Sequence, residues 1–128
     1  MSFDTLLFDV ADNVATMTLN RPDKLNAFVA QMHAEIRQVL DRLESGETGA
    51  RCLLITGAGR GFCSGQDLTE RRPSADGTPT PSTSLVDNFH PMAMRLRDLE
   101  MPVVAAVNGV AAGAGASLAL NCDIVLTA

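Results

Sequence analysis

Tryptophan and tyrosine are absent from this 128-residue sequence, and lysine occurs once, at position 24. Ten basic against fifteen acidic side chains leave a formal charge of -5. That balance excludes the basic stripe on which nucleic-acid binders rely. A phosphate-binding P-loop needs a glycine-rich run ending in Gly-Lys-Ser/Thr, and Lys24 stands in no such run. Cysteine is scarce too. Cys52, Cys63 and Cys122 are odd in number and contain no CxxC pair, which argues against a disulfide framework and a zinc site and fits a reducing compartment. No apolar run approaches the roughly 20 residues that span a bilayer, so no membrane segment is expected. The N-terminus lacks a basic stretch followed by an apolar core and cleavage site, so a cytoplasmic protein is expected.

What remains is enough for one domain, because a chain of this length can bury roughly two-thirds of its unfolded surface. Residues 5–10 and 14–19 are β-prone runs divided by Asp12-Asn13, the pattern of a hairpin. Val29, Met32, Ile36, Val39, Leu40 and Leu43 recur at helical spacing, with Asn26 as the expected N-cap and Gly46 as terminator. Residues 52–56 and 103–107 are short, continuously apolar segments that read as buried strands. Between them, residues 73–84 read PSADGTPTPSTS and are expected to form a mobile surface loop. A helix is expected to follow, with Pro91 in its first turn or kinking it. After a small-residue helix ending near Leu120, residues 123–127 look like another strand. The order predicts an α/β architecture of repeated ββα units. The chain stops on a strand-like residue without turn or cap, so further chain is expected beyond Ala128.

Two glycine-rich stretches, residues 57–68 and 108–115, each follow a buried strand and precede a helix. Glycine lets a backbone approach a ligand closely, and helix N-termini offer unpaired N–H groups. Two such loops can aim two donors at one oxygen, although either alone can be a tight turn. A dinucleotide site fits poorly, since Leu118 stands where the third glycine of GxGxxG belongs.

Taken in order, Asn20-Arg21-Pro22 with Asn26-Ala27, Gly61-Phe62-Cys63-Ser64-Gly65-Gln66-Asp67-Leu68, Pro102 to Gly109, Gly113 to Leu120 and Cys122-Asp123-Ile124 resemble successive signatures of the enoyl-CoA hydratase/isomerase (crotonase) superfamily. The resemblance spans nearly the whole chain. It implies a crotonase-like spiral of ββα units, a trimer often doubled to a hexamer, and an acyl-CoA substrate with no separate cofactor and no metal. It also implies a thioester carbonyl held by two backbone N–H groups, here those of Gln66 and Ala114. Lys24, Ala27, Ser64, Asp67 and Leu68 match the family's coenzyme A path.

Hydratases of the family place a glutamate where this chain has Ser117, which disfavours two-carboxylate hydration. The loop stretches look more like members that isomerise, so a 1,2-epoxyphenylacetyl-CoA or β,γ-enoyl-CoA isomerase is expected. The acid/base carboxylate is then expected beyond residue 128. An enoyl-CoA hydratase and a noncatalytic acyl-CoA-binding module remain as alternatives. Of the titratable residues, His90 is a candidate for the acyl pocket, and so is the position of Ser117. His33, one residue after core-facing Met32, is expected at the surface. Cys63 is expected to be a buried small hydrophobe, Asp67 to cap the following helix, and Arg71-Arg72 to be a solvated pair.

Overall fold

The computed structural model describes residues 2–70, Gly77 and residues 85–128. The chain opens with the expected hairpin, β1 (Leu6–Ala11) and β2 (Val14–Leu19), paired antiparallel. Its two turn residues, Asp12 at φ 53° and Asn13 at φ 66°, adopt the left-handed conformation that matches the twist of a tight hairpin. A 3-10 turn at Pro22–Lys24 leads into α1 (Ala30–Ser45), which ends at Gly46 with φ 79°. Then come β3 (Cys52–Gly57), β4 (Gly61–Cys63), a 3-10 turn at Leu68–Glu70, and a π-helical turn at Leu85–Phe89 running into α2 (His90–Asp98). The chain continues with β5 (Val103–Val107), β6 (Val110–Ala111), α3 (Ala114–Leu120) and β7 (Ile124–Thr127).

The main sheet has the order β1-β2-β3-β5-β7, parallel from β2 onward, while β4 and β6 form a separate parallel pair. Each repeat is thus a strand of the large sheet, a strand of the small one and a helix, with the opening hairpin as a variant. The core joins Leu6, Met17, Leu19, Leu53, Ile55 and Ala105 from the sheet to Met32, Ile36, Val39 and Leu40 from α1. Pro91 lies in the first turn of α2, directly after the π-helical turn. Glu35 ties α1 to the start of β1, accepting from the Thr5 amide and hydroxyl at 2.8 Å each and from the Asp4 amide at 3.2 Å. Burial pushes its carboxyl upward, but these bonds and one from Gln31 hold it below the usual carboxylate range.

Three expectations need correction or placement. Asn26 does not cap α1, which starts at Ala30 with Val29 at its N-cap; the side chain is used elsewhere. His33 is buried, 1% exposed, and stacked on Phe28 with ring centroids 4.8 Å apart. Helix α1 is covered by the sheet on one side and by Phe28 and the Phe89 turn on another, so the residue after Met32 is enclosed too. The loop expected at 73–84 lies outside the described residues apart from Gly77, as do Arg71 and Arg72.

Candidate functional site

Strand pairing brings the two glycine-rich stretches together. Gly61 lies opposite Val110 and Cys63 opposite Ala111, and the Ala112 amide donates to the Cys63 carbonyl at 3.0 Å. Three glycines permit the close approach, Gly109 against the Arg60 carbonyl among them. A methyl group on Gly115 would collide with the backbone and Cβ of Cys63, and one on Gly65 would stand 3.0 Å from the Ala112 carbonyl oxygen. Gly65 also has φ 106°, a conformation that disfavours any side chain.

Segment 20–28 works as a bracket around the first loop. The buried Asn26 side chain donates to the Ala58 and Gly61 carbonyls at 3.0 and 2.9 Å and accepts from the Arg21 amide at 2.8 Å. From the other side, Asn108 donates to the Gly59 and Gly61 carbonyls at 3.0 and 3.1 Å and accepts from the Gly57 amide. The Gly61 carbonyl therefore accepts from both asparagines. Asn26→Ala is expected to destabilise the protein by about 1–3 kcal/mol, since it strands buried partners, and urea denaturation reads that loss directly. A midpoint within error of the parent would show that the bracket is dispensable.

Backbone hydrogen bonds aim the two candidate donors. Phe28 forms a parallel bridge to Gln66, donating from its amide to the Gly65 carbonyl at 2.7 Å and accepting from the Asp67 amide at 2.9 Å. A trans peptide holds its C=O and N–H on opposite sides, so fixing the Gly65 carbonyl on Phe28 turns the Gln66 N–H the other way. Likewise, the Gly113 carbonyl accepts the Ser117 amide at 3.1 Å, which turns the Ala114 N–H out of α3. Ala114 is the first residue of that helix, where amides lack intrahelical acceptors. Neither amide finds an acceptor among the described residues. A methyl group on Gly65 would lie 3.6 Å from the Ala114 nitrogen, so the two peptides are neighbours. Two such donors can converge on one carbonyl oxygen.

The other candidates sort into two groups. Lys24, Ala27 and Ser64 lie together: the Ser64 amide donates to the Leu25 carbonyl at 2.9 Å, its hydroxyl to Lys24 at 3.4 Å, and the Ala27 carbonyl accepts from Arg21. Asp67 is buried, accepts the Thr69 amide and hydroxyl at 2.9 and 2.6 Å, and pairs with Arg21 at 3.1 Å. The Thr69 bonds, then the Arg21 pair, outweigh desolvation and hold its carboxyl below the usual range. So occupied, it is a cap and a bracket anchor rather than a free base. Leu68 is exposed beside it. Ser117 is exposed on α3 and His90 is exposed at the start of α2; no hydrogen bond among the described residues links His90 to either loop. Cys63 is buried and burial pushes its thiol up to about 11, so it is protonated and inert at neutral pH. Among the described residues no three His, Cys, Asp or Glu side chains gather as metal ligands. Sequence reasoning passed over Arg21 and Phe28 as site-forming residues, although Arg21 stands inside the first motif.

Residues 9–128 match the enoyl-CoA hydratase/isomerase family. The chain belongs to that family. It is 51% identical over 125 residues to the 1,2-epoxyphenylacetyl-CoA isomerase of Escherichia coli (strain K12), covering 96% of this chain and 47% of that protein. It is 42% identical to a probable enoyl-CoA hydratase of Rhodobacter capsulatus, covering all of this chain and 48% of that one. The crystal structure of an enoyl-CoA hydratase from Mycobacterium smegmatis superposes with a TM-score of 0.85 at 32% identity, covering 97% of this chain and 48% of that one. The fold is the crotonase fold, and this enoyl-CoA hydratase/isomerase family member spans about half the length of these relatives. Among the described residues no helix is long and apolar enough to cross a membrane.

Proposed function

We propose that this chain supplies the thioester-holding half of an acyl-CoA isomerase. The carrying observation is the pair of amides, Gln66 and Ala114, that find no acceptor among the described residues and are aimed by the Phe28 bridge and the first turn of α3. Held between them, a thioester carbonyl gains negative charge as its α-carbon loses a proton, and fixed donors favour that enolate over the ground state. Lys24, Ala27, Ser64, Asp67 and Leu68 line the approach for coenzyme A, which belongs to the substrate. His90 stays the candidate for the acyl end. No separate cofactor or metal is required. An isomerase needs one mobile proton returned to the same molecule, and its carrier lies in the half of the relatives' length that this chain does not span. A trimeric, cytoplasmic assembly belongs to the same reading.

Support for isomerisation over hydration comes from Ser117, whose hydroxyl has no useful basicity near neutral pH, and from the 51% identity to an epoxyphenylacetyl-CoA isomerase. The favoured substrate is 1,2-epoxyphenylacetyl-CoA, whose ring expansion to an oxepin conserves every atom; a β,γ-enoyl-CoA comes next. Hydration is the second reading, favoured by the hydratase names among its relatives. With the whole protein, isomerisation of the epoxide thioester is expected to exceed hydration of crotonyl-CoA by about 100-fold or more in kcat/KM, the scale of a missing acid/base group. Efficient hydration without isomerisation would reverse the choice.

A further inference from the structure

We propose that Arg21 is a positioning residue for the thioester-holding amide of Gln66, acting by tying residue 27 to residue 67 on either side of the Phe28–Gln66 bridge. One guanidinium nitrogen donates to the Ala27 carbonyl at 2.7 Å and the other to Asp67 Oδ2 at 3.1 Å. Ala27 precedes Phe28, and Asp67 follows Gln66. The fork therefore closes a small ring around the two backbone bonds that turn the Gln66 N–H away from Phe28. Its partner is well anchored, because the second carboxylate oxygen of Asp67 is held by Thr69. The Arg21 backbone is fixed as well: its amide donates to Asn26, and its carbonyl accepts from Lys24 and Asn26.

A lysine cannot replace this residue, since an ammonium lacks the planar fork that reaches a carbonyl and a carboxylate at once. Only part of the arginine side chain is exposed, 20%, and that of Asp67 is 9% exposed, so the pair is shielded more than a surface ion pair. Arg21 touches neither the thioester nor the α-carbon in this scheme. Its effect is on the angle and stiffness with which one amide meets the carbonyl oxygen.

The inference rests on the thioester-holding reading, and the test separates the two. Phenylacetyl-CoA labelled with carbon-13 at the carbonyl is bound to the whole protein and to its Arg21→Met, Arg21→Lys and Asp67→Asn variants, and the carbonyl band is read by difference infrared spectroscopy. Turnover of the epoxide thioester is measured in parallel. In the unsubstituted protein the band moves to lower frequency. In Arg21→Met and Arg21→Lys the displacement falls by more than half and kcat drops about 10- to 100-fold, as expected for a misplaced donor, while the dissociation constant changes little. Asp67→Asn gives the same loss of displacement and of kcat, and keeps the question open to test should Arg21→Met fold poorly. Guanidinium ion, added far below denaturing concentrations, restores part of the displacement in Arg21→Met and none in Asp67→Asn. An unshifted band in the unsubstituted protein would overturn the thioester-holding reading and this inference with it. A normal shift there, retained with full kcat in folded Arg21→Met or Asp67→Asn, would overturn the positioning role alone.

Discussion

Replacing Ala114 with proline is expected to abolish the low-frequency displacement of a bound thioester carbonyl and to lower kcat about 100- to 1,000-fold, with the fold intact. Loss of one such donor typically costs about 2.7–4 kcal/mol of transition-state stabilisation. Proline is tolerated here because Ala114 is the first residue of α3, where no intrahelical bond is lost and the proline φ suits a helix. Gly113, with φ 54° and ψ −126°, is extended in the mirror sense rather than helical, so it accommodates a following proline ring. Gln66→Ala is the contrasting control: the donor is the backbone N–H, so the displacement should persist. The carbon-13 difference infrared spectrum and steady-state turnover of the epoxide thioester measure both effects. An Ala114→Pro protein with an unchanged band and kcat would remove Ala114 from the site.

Acid should weaken this protein earlier than its carboxylates would require. His33 is buried against Phe28, and neither ring nitrogen has a hydrogen-bond partner among the described residues. Burial, assisted by the Arg37 charge, lowers its pKa from 6.5 to about 4. The unfolded chain therefore takes up a proton near pH 6.5 that the folded chain refuses until about pH 4. Stability is at its full value above pH 6.5 and falls through that window, by on the order of 2–3 kcal/mol. Glu35 and Asp67, both held below the ordinary carboxylate range, contribute stability that is lost mainly at still lower pH. His33→Phe keeps the ring on Phe28, removes the two stranded nitrogens and should flatten the profile between pH 6.5 and pH 4.5. Urea midpoints at those two pH values decide it. An equal acid loss in parent and variant would show that another group is responsible.

The sequence made the hairpin visible because Asp12-Asn13 is one of few dipeptides that accept the left-handed conformation at both positions. It made α1 visible because six apolar residues keep one helical face. Strands β4 and β6 were hidden: three and two residues long, they are too short to show alternation, and only pairing with each other defines them. Asn26 was misread because one side-chain chemistry serves both a helix cap and a carbonyl clamp; its φ of 56° and its partners at Ala58 and Gly61 decide for the clamp. His33 was misread because a single amphipathic stripe was assumed for a helix that is covered from two directions. In the site, the glycine spacing announced the loops. The bracket formed by Arg21 and Phe28 could not be read, because its contacts cross about 40 residues of chain.

The short β4–β6 ladder also has a metric consequence. Cys63 lies opposite Ala111, and three residues further along each chain come Gln66 and Ala114. Neighbouring strands lie about 4.8 Å apart, a period set by backbone hydrogen bonding rather than by any side chain. The ladder ends at Cys63 and Ala111, so that period applies where the two glycine-rich stretches leave the small sheet. The yardstick that sets where the two stretches start is thus the same one that spaces every sheet. Side chains around the two stretches can be exchanged without recalibrating it, and selection can rework the surrounding walls while the backbone ruler stays fixed.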